Sequence, residues 1–399
     1  MILGRIVISA VQSIILGCLI LSVTECHGLV KSNDCSPQTL VLVQVVFRHG
    51  NRTRDTSETY PKNPYNKESD WMPEGFGQLT AVGRTTEYLL GQFLRSRYDE
   101  FLGRYYFYKD VTVFSSNKHR TRESAQLVSA GLYSPPTGYN RWGEGSILGN
   151  YWQPIPIEDM PKEDLWLETH TSCPPYDKEY DSTLYNDRVF TNLNENSTDL
   201  YAFLSKHTGE NVTSTREVAK LYNTLKVEEE NNKLLPSWAT AQLLERMEPF
   251  RLLGFTVRTQ TDFMKTIKAG PLFHLMSVNL NNKTSHNLHP DNKIILYSAH
   301  DTTIVHVLHS LGATKLWDPQ YGACVMIELH KVKGHFVVRV LYLESGRDQV
   351  AIPVPLQDWP SSDTAIPLDV FNTILNKYKI NEKDWYTACG REYCKSSHS

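Results

Sequence analysis

A chain of 399 residues with 40% hydrophobic and 21% charged residues can bury a full core, which excludes a disordered polymer and a membrane bundle. Its formal net charge of −3 argues against bulk electrostatic binding to nucleic acid or to an anionic membrane surface, so any cationic site has to be local. From the start of the chain, Arg5 precedes an apolar run, Ile6 to Val23, that closes on Thr24-Glu25-Cys26-His27-Gly28. A basic start, a short apolar stretch and a small-x-small end predict a signal peptide over residues 1–28 and export of the rest. The competing reading, a retained anchor, is weakened by the polar interruptions Ser9, Gln12 and Ser13. No later stretch is long and apolar enough to cross a bilayer, so no membrane span is expected in the mature chain.

Residues 41–47, Val-Leu-Val-Gln-Val-Val-Phe, read as a buried central strand. Arg48, His49, Arg52 and Arg54 follow it directly and deliver positive charge to one edge of a sheet. Val82, Thr86, Leu89, Phe93 and Arg97 recur at helical spacing, with Thr80 as N-cap. A second strand at 111–116 precedes a helix capped by Ser116 or Asn117, with Ala125, Val128 and Leu132 as its apolar stripe. Strand-helix-strand-helix order favours a parallel α/β core.

The stretch from Ser134 to about Pro161 reads as loop. Residues 162–285 then change character to helical, with a capping box at Ser214 and Glu217 and the apolar positions Val218, Leu221 and Leu225. Further helices are expected in the segments starting at Trp238 and Gly270. The run Glu228-Glu229-Glu230 reads as a solvated helix end. A third buried strand is expected at 293–298 and a helix at 302–311. Val325, Ile327, Leu329, a Lys333-Gly334 turn, then Phe336, Val338, Val340 and Tyr342 alternate as a β-hairpin with one buried face. The expected fold class is α/β, a central mixed sheet flanked by helices with an inserted α-helical cap. The domain plan is signal 1–28, core 29–161, cap 162–285 and core 286–399.

Seven cysteines are present, two of them, Cys18 and Cys26, in the signal segment. Cys35, Cys173, Cys324, Cys389 and Cys394 remain, an odd set that predicts one or two disulfides and at least one unpaired thiol, with connectivity open. Glycosylation sequons stand at Asn196, Asn211 and Asn282. A fourth, at Asn51, sits inside the charged cluster and is expected to stay unmodified.

Three places share one pattern of strand, short polar loop and helix: Arg48-His49-Gly50-Asn51-Arg52, Asn117-Lys118-His119-Arg120, and His300-Asp301-Thr302. In open α/β sheets the ligand crevice lies beyond the carboxyl ends of strands, where helix N-termini also favour anions. Arg48, Arg52 and Arg120 there suit a phosphate dianion, since guanidinium forks match phosphate oxygens. Gly50 is read as allowing a tight turn close to the ligand. Neighbouring cations disfavour protonation of His49, and a neutral imidazole can attack phosphorus. Asp301 is the natural general acid for the departing alkoxide, which predicts an acidic working pH, and no metal or other cofactor is required. Arg54 and Arg122 read as solvated or structural. His119 borders the pocket or the surface, and His306 and His309 read as packing or surface residues.

The segments "FRHGNR", "GFGQLTAVG", "SSNKHRTRESA", "WQPIP", "LPSW", "AGPL" and "SAHDTT" resemble, in this order, the histidine acid phosphatase family, especially its secreted insect and venom members. The resemblance runs from about Leu40 to Cys394. It implies a phosphoric monoester hydrolase with His49 as phosphorylated nucleophile, Asp301 as proton donor, and Arg48, Arg52, Arg120 and His300 as phosphate ligands. It also implies a disulfide from Cys173 to Cys389 or Cys394, and it leaves a homodimer open. Partners are small-molecule or peptide phosphate monoesters and not nucleic acid. The destination is secretion, with a lysosomal one left open. Two positions depart from the family pattern. Arg54 replaces a usual proline, which could reshape the loop or add charge at the mouth, and Asn117 and His119 stand where acids are common.

Three rivals are weighed. A cytosolic phosphoglycerate mutase-like enzyme conflicts with the signal and sequons. A metal-dependent phosphohydrolase would use His300, Asp301 and His306, but a clear strand precedes His300. A secreted pseudoenzyme would bind phosphorylated ligands without turning them over.

Overall fold

The computed structural model describes residues 30–134, 147–158, 164–168, 171–359 and 365–393. The expected signal peptide, Cys394 and the expected boundary between residues 161 and 162 lie outside them. The first strand, β1 (Leu40–Arg48), is buried along almost its whole length. Helix α1 (Ala81–Leu102), strand β2 (Val111–Ser115) and helix α2 (His119–Leu132) follow. Seven helices then run in succession: α3 (Pro174–Asn186), α4 (Arg188–Glu195), α5 (Thr198–Thr208), α6 (Thr215–Glu230), α7 (Ala241–Thr256), α8 (Asp262–Lys268) and α9 (Gly270–Thr284). The sheet resumes with β3 (Ile294–Ala299), followed by α10 (Asp301–Ser310). The hairpin β4 (Cys324–Val332) and β5 (His335–Leu343), the short strands β6 (Ile352–Pro353) and β7 (Ile366–Pro367), and helices α11 (Leu368–Asn376) and α12 (Glu382–Ala388) complete the order.

The sheet is mixed. Its strand order is β2-β3-β1-β4-β5-β6, with β7 also on β5. β3 pairs in parallel with β1 and β2, whereas β4 runs antiparallel to β1 and β5. Side-chain alternation along β1 divides the core. Leu42 and Val46 face α9, α10 and α11, while Val43, Val45 and Phe47 face α1 and α2. The hairpin turn at Lys333-Gly334 has positive φ at both residues, 50° and 88°, as a tight two-residue hairpin loop requires. That hairpin is buried on both faces rather than one. Val325 and Ile327 pack in the first core layer, and Cys324 and Met326 in the second.

Several caps match expectation. The Thr80 side chain accepts from Gly83 N, and Ser214 and Glu217 form their capping box. The expected stripe of α1 is displaced, because Val82 is 53% exposed while Gly83, Glu87 and Leu90 are buried. Glycine contacts explain the rotation. A Cβ on Gly91 would come within 2.2 Å of Val128 O, and one on Gly131 within 2.2 Å of Tyr88 O, so α1 and α2 meet backbone to backbone. Neither Ser116 nor Asn117 caps α2; Lys118 is its N-cap residue and makes no side-chain cap. In the expected cap segment, α9 packs directly on the sheet through Leu272, Phe273, Met276 and Leu280. Helices α5, α6 and α7 share a separate core of Leu204, Leu221, Leu225, Met247 and Phe250. Glu228 is no solvated end. It is fully buried and accepts from Asn63 Nδ2 at 2.7 Å, leaving only Glu229 and Glu230 exposed. Cys173 and Cys389 are bonded, and Cys35 and Cys324 are free thiols among the described residues.

Candidate active site

Three strand ends converge beyond the sheet. Arg48 N donates to Ala323 O at 2.9 Å, His49 N to Ala299 O at 3.1 Å, and Ser116 N to Ser298 O at 3.0 Å. The strands therefore hold Arg48-His49, Ser116–Arg120 and His300-Asp301 in one register at the topological switch between β3, β1 and β4. Gly50 serves a close approach. A Cβ there would sit 2.5 Å from Gly83 O, so the first turn of α1 presses on the loop, and Gly50 has no positive φ. The expected tight turn is thus a helix contact instead. The reciprocal limit at Gly83, 2.1 Å from Asn51 O, locks the same junction.

His49 is buried with its ring edge-on to His300, centroids 5.5 Å apart. Its Nδ1 lies 2.9 Å from Gly50 O. A carbonyl only accepts, so Nδ1 carries the proton and Nε2 keeps a lone pair. Burial, and then the charges of Arg120, His300, Arg48 and Arg52, push the pKa of His49 well below 6.5. The ring is a neutral base in a cationic enclosure.

The arginines are themselves anchored. Arg48 Nη1 donates to Pro319 O at 2.7 Å, its guanidinium stacks 4.0 Å from the Tyr321 ring centroid, and Nη2 lies 3.1 Å from Asp301 Oδ2. Arg52 forms a two-pronged pair with Glu58 at 2.6 and 2.5 Å. Arg120 reaches Asp55 at only 3.4 Å. The buried Nε atoms of Arg48, Arg52 and Arg120 have no hydrogen-bond partner. Buried donors of this kind are uncommon, and three of them beside one histidine suit a polyvalent anion. Ser116 orients His300: its Oγ is 2.9 Å from His300 Nε2 and 2.9 Å from Thr121 Oγ1.

Asp301 opens α10. Its Oδ1 accepts from Thr302 N at 2.7 Å, and its Oδ2 faces Arg48 and, at 3.9 Å, Arg251. Burial raises its pKa, but Arg48, Arg251 and Arg52 outweigh burial and hold the carboxyl below the usual carboxylate range.

All six residues expected at the centre, Arg48, His49, Arg52, Arg120, His300 and Asp301, are brought together here. Others are not. His119 is exposed, His306 is buried inside α10, and His309 bonds Thr259 at 2.8 Å. Arg122 donates to Asn117 at 3.0 Å. Arg54 adds no charge at a mouth. It is 2% exposed and donates to the carbonyls of Asp55, Glu58 and Tyr65, stitching the loop that carries Glu58. Asn51 is half-buried and receives Thr80 N through its carbonyl, whereas Asn196 and Asn211 are exposed and Asn282 is half-exposed. Among the described residues no group of three or more His, Cys, Asp or Glu is placed to hold a metal ion.

Sequence reading missed Arg251, Glu58, Asp318 and Tyr321. Arg251 reaches the site from α7, donating to Asp318 at 3.0 Å and Asn223 at 2.6 Å. Only the charge within the apolar stretch "EPFRLLGF" hinted at it.

Residues 39–343 match the model of the histidine phosphatase superfamily (branch 2). The chain is 34% identical to venom acid phosphatase Acph-1 of Apis mellifera over 303 residues, covering 75% of this chain and 76% of that one. It is 30% identical to human prostatic acid phosphatase over 357 residues, 88% of each chain. Among solved structures, Hafnia alvei phytase in its apo form superposes with a TM-score of 0.64 over 88% of this chain and 98% of its own. At 16% identity that likeness concerns the fold. No helix among the described residues is long and apolar enough to cross a membrane.

Proposed function

This chain belongs to the histidine phosphatase superfamily (branch 2), a phosphoric monoester hydrolase like the acid phosphatases it matches, and from that premise we propose that it works through a phosphohistidine at His49. The phosphoryl group lies among Arg48, Arg52, Arg120 and His300. The Nε2 lone pair of His49 attacks phosphorus, the P–O ester bond breaks, and Asp301 gives its proton to the leaving alkoxide. Water then attacks the phosphohistidine, releasing phosphate and restoring neutral His49, while Asp301 takes up a proton from that water. The arginines offset charge on the transferring oxygens in both steps. No step needs a metal ion.

The observation that carries this reading is the Nδ1–H···O bond from His49 to Gly50, which leaves Nε2 as the nucleophile within the three arginines. It also accounts for acid chemistry. Asp301 is ionised in the free protein, because the surrounding guanidinium groups favour its charged form. A bound phosphate offsets those guanidinium charges and raises the carboxyl pKa. A monoanionic ester, the form present below about pH 6, brings the proton that Asp301 then donates.

We further read the protein as an exported glycoprotein, with a lysosomal destination left open. Exposed Asn196 and Asn211, half-exposed Asn282 and the Cys173–Cys389 bond support export. The deciding test is hydrolysis of p-nitrophenyl phosphate from mildly acidic to neutral pH, with and without EDTA, by wild type and His49→Ala. It is joined by rapid quench and peptide mass spectrometry for one phosphoryl group on His49. Acid-favoured, EDTA-insensitive turnover that vanishes in the variant is expected. A folded wild type that binds phosphate without turnover would instead make this a binding protein.

A further inference from the structure

Two cavities border the catalytic arginines, sharing Asn223 and Arg251 in their linings, and their charges differ. One, about 230 Å³, is lined by the cations Arg48, Lys226 and Arg251 and by the acids Glu230, Glu248 and Asp318. Its signs balance. The other, about 440 Å³, borders Asp301, Thr302 and Arg52. Its cations are Arg52, Arg216, Lys220, Arg251 and Arg258, and its acids are only Glu58 and Asp301. Both acids are already engaged, Glu58 by Arg52 and Asp301 by Arg48 and Arg251. Lys220 has a loose pair with Glu210 at 3.4 Å, and neither Arg216 nor Arg258 has an ion pair with an acid among the described residues. Arg258 Nε is buried without a hydrogen-bond partner.

The arrangement follows from two helices using one spacing. Arg216, Ala219, Lys220 and Asn223 lie on one face of α6, and Arg251, Gly254, Phe255 and Arg258 continue one face of α7 into the 3-10 turn that follows it. Positions i, i+3, i+4 and i+7 share a face. At the crossing Gly254 meets Ala219, where an added Cβ would sit 3.0 Å from the Ala219 Cβ. Small residues bring the helices together, and the longer cationic side chains line the cavity around them. Phe255 lies under Arg251 at 4.9 Å and Tyr180 near Arg258 at 5.9 Å, adding ring faces.

This cavity is lined by Asp301, the carboxyl read above as the proton donor to the departing oxygen, so it is the space open to the alcohol part of an ester on that reading. We propose that it is a leaving-group subsite that selects phosphate monoesters whose alcohol carries a ring and a second negative charge, a carboxylate or another phosphate. The proposal rests on the phosphohydrolase reading above. Arg216 and Arg258 are its specificity residues, acting on the leaving group and not on the transferred phosphoryl.

The test compares para-carboxymethylphenyl phosphate with its neutral carboxamide, two esters of closely similar leaving-group basicity. One charge-assisted contact gives a preference in kcat/KM of about tenfold or more for the anionic ester. That ratio should fall toward unity in Arg216→Gln and Arg258→Gln, and also in the wild type as salt is added. Para-phenylene bisphosphate in place of the carboxylate ester tells whether a phosphate or a carboxylate is preferred. Equal wild-type rates on the two esters would overturn the subsite, as would a preference untouched by both substitutions and by salt. Absence of turnover on either ester would overturn the underlying phosphatase reading instead, so the two failures are distinct.

Discussion

Glu58→Gln removes one charge from a pair that holds a phosphate-binding arginine. In the wild type both Glu58 oxygens engage Arg52, and the same oxygens accept from Asp55 N at 2.7 Å and Asn223 Nδ2 at 2.5 Å. Arg52 is only 6% exposed, so the variant leaves a buried guanidinium without its counter-charge. Breaking a buried pair from one side costs about 3–5 kcal/mol, and the lower end applies because glutamine keeps part of the hydrogen bonding. At roughly 2 °C per kcal/mol for a large chain, the phosphate-free variant should melt about 6 °C below wild type. Inorganic phosphate should reverse much of this. With Glu58 neutralised, Arg52 has its full charge for the ligand, and phosphate should bind about tenfold more tightly. Thermal denaturation with a phosphate titration measures both effects. The sign with pH is also set. The pKa of Glu58 is held below 4.5 because Arg52 outweighs burial, so the pair stabilises the fold above that pH and loses its effect as pH falls through the lowered value. The two melting temperatures should therefore converge in strong acid. A variant that melts with the wild type and binds phosphate no more tightly would refute this account of Arg52.

Asp301→Asn should lower kcat on an alkyl phosphate by about 10²–10⁴-fold, and by much less on p-nitrophenyl phosphate, whose leaving group departs unprotonated; equal losses on both esters would remove Asp301 from proton donation. His49 has a folded pKa well below its ordinary 6.5, so the unfolded chain takes up a proton there first and the wild type loses stability as pH falls below about 6.5, by up to about 1.4 kcal/mol per pH unit. Urea melts of wild type and His49→Asn at neutral and acidic pH should show a shallower decline in the variant, and parallel declines would contradict a buried neutral imidazole. Cys173→Ser with Cys389→Ser opens a link between positions 216 residues apart and should cost up to roughly 5 kcal/mol, read as a lower urea midpoint. An unchanged midpoint would mean the bond does not restrain the unfolded chain.

Local chemistry in the chain was enough to locate the strand Val41–Phe47, the helix caps Thr80 and Ser214, the Lys333-Gly334 turn and the six central residues. Each is written in a short contiguous pattern: a β-branched run, a capping side chain, a two-residue turn, a charge placed at a strand end. Tertiary structure alone decided the rest. Arg54, Glu58 and Glu228 are polar residues in polar-looking segments, yet Arg54 and Glu228 are buried and Glu58 is partly buried, because the loop after β1 folds back against α6. Glu87 likewise sits on a helix with an exposed face, but the glycine contacts of α1 turn it fully inward, where burial pushes its pKa well above 4.5. Arg251 enters the site from a helix 50 residues before Asp301 in the sequence. Periodicity reports which face of an element is apolar. It carries no information on which charged side chain a distant element will trap against it, since that depends on how α6 and α7 cross and on which small residues let them approach.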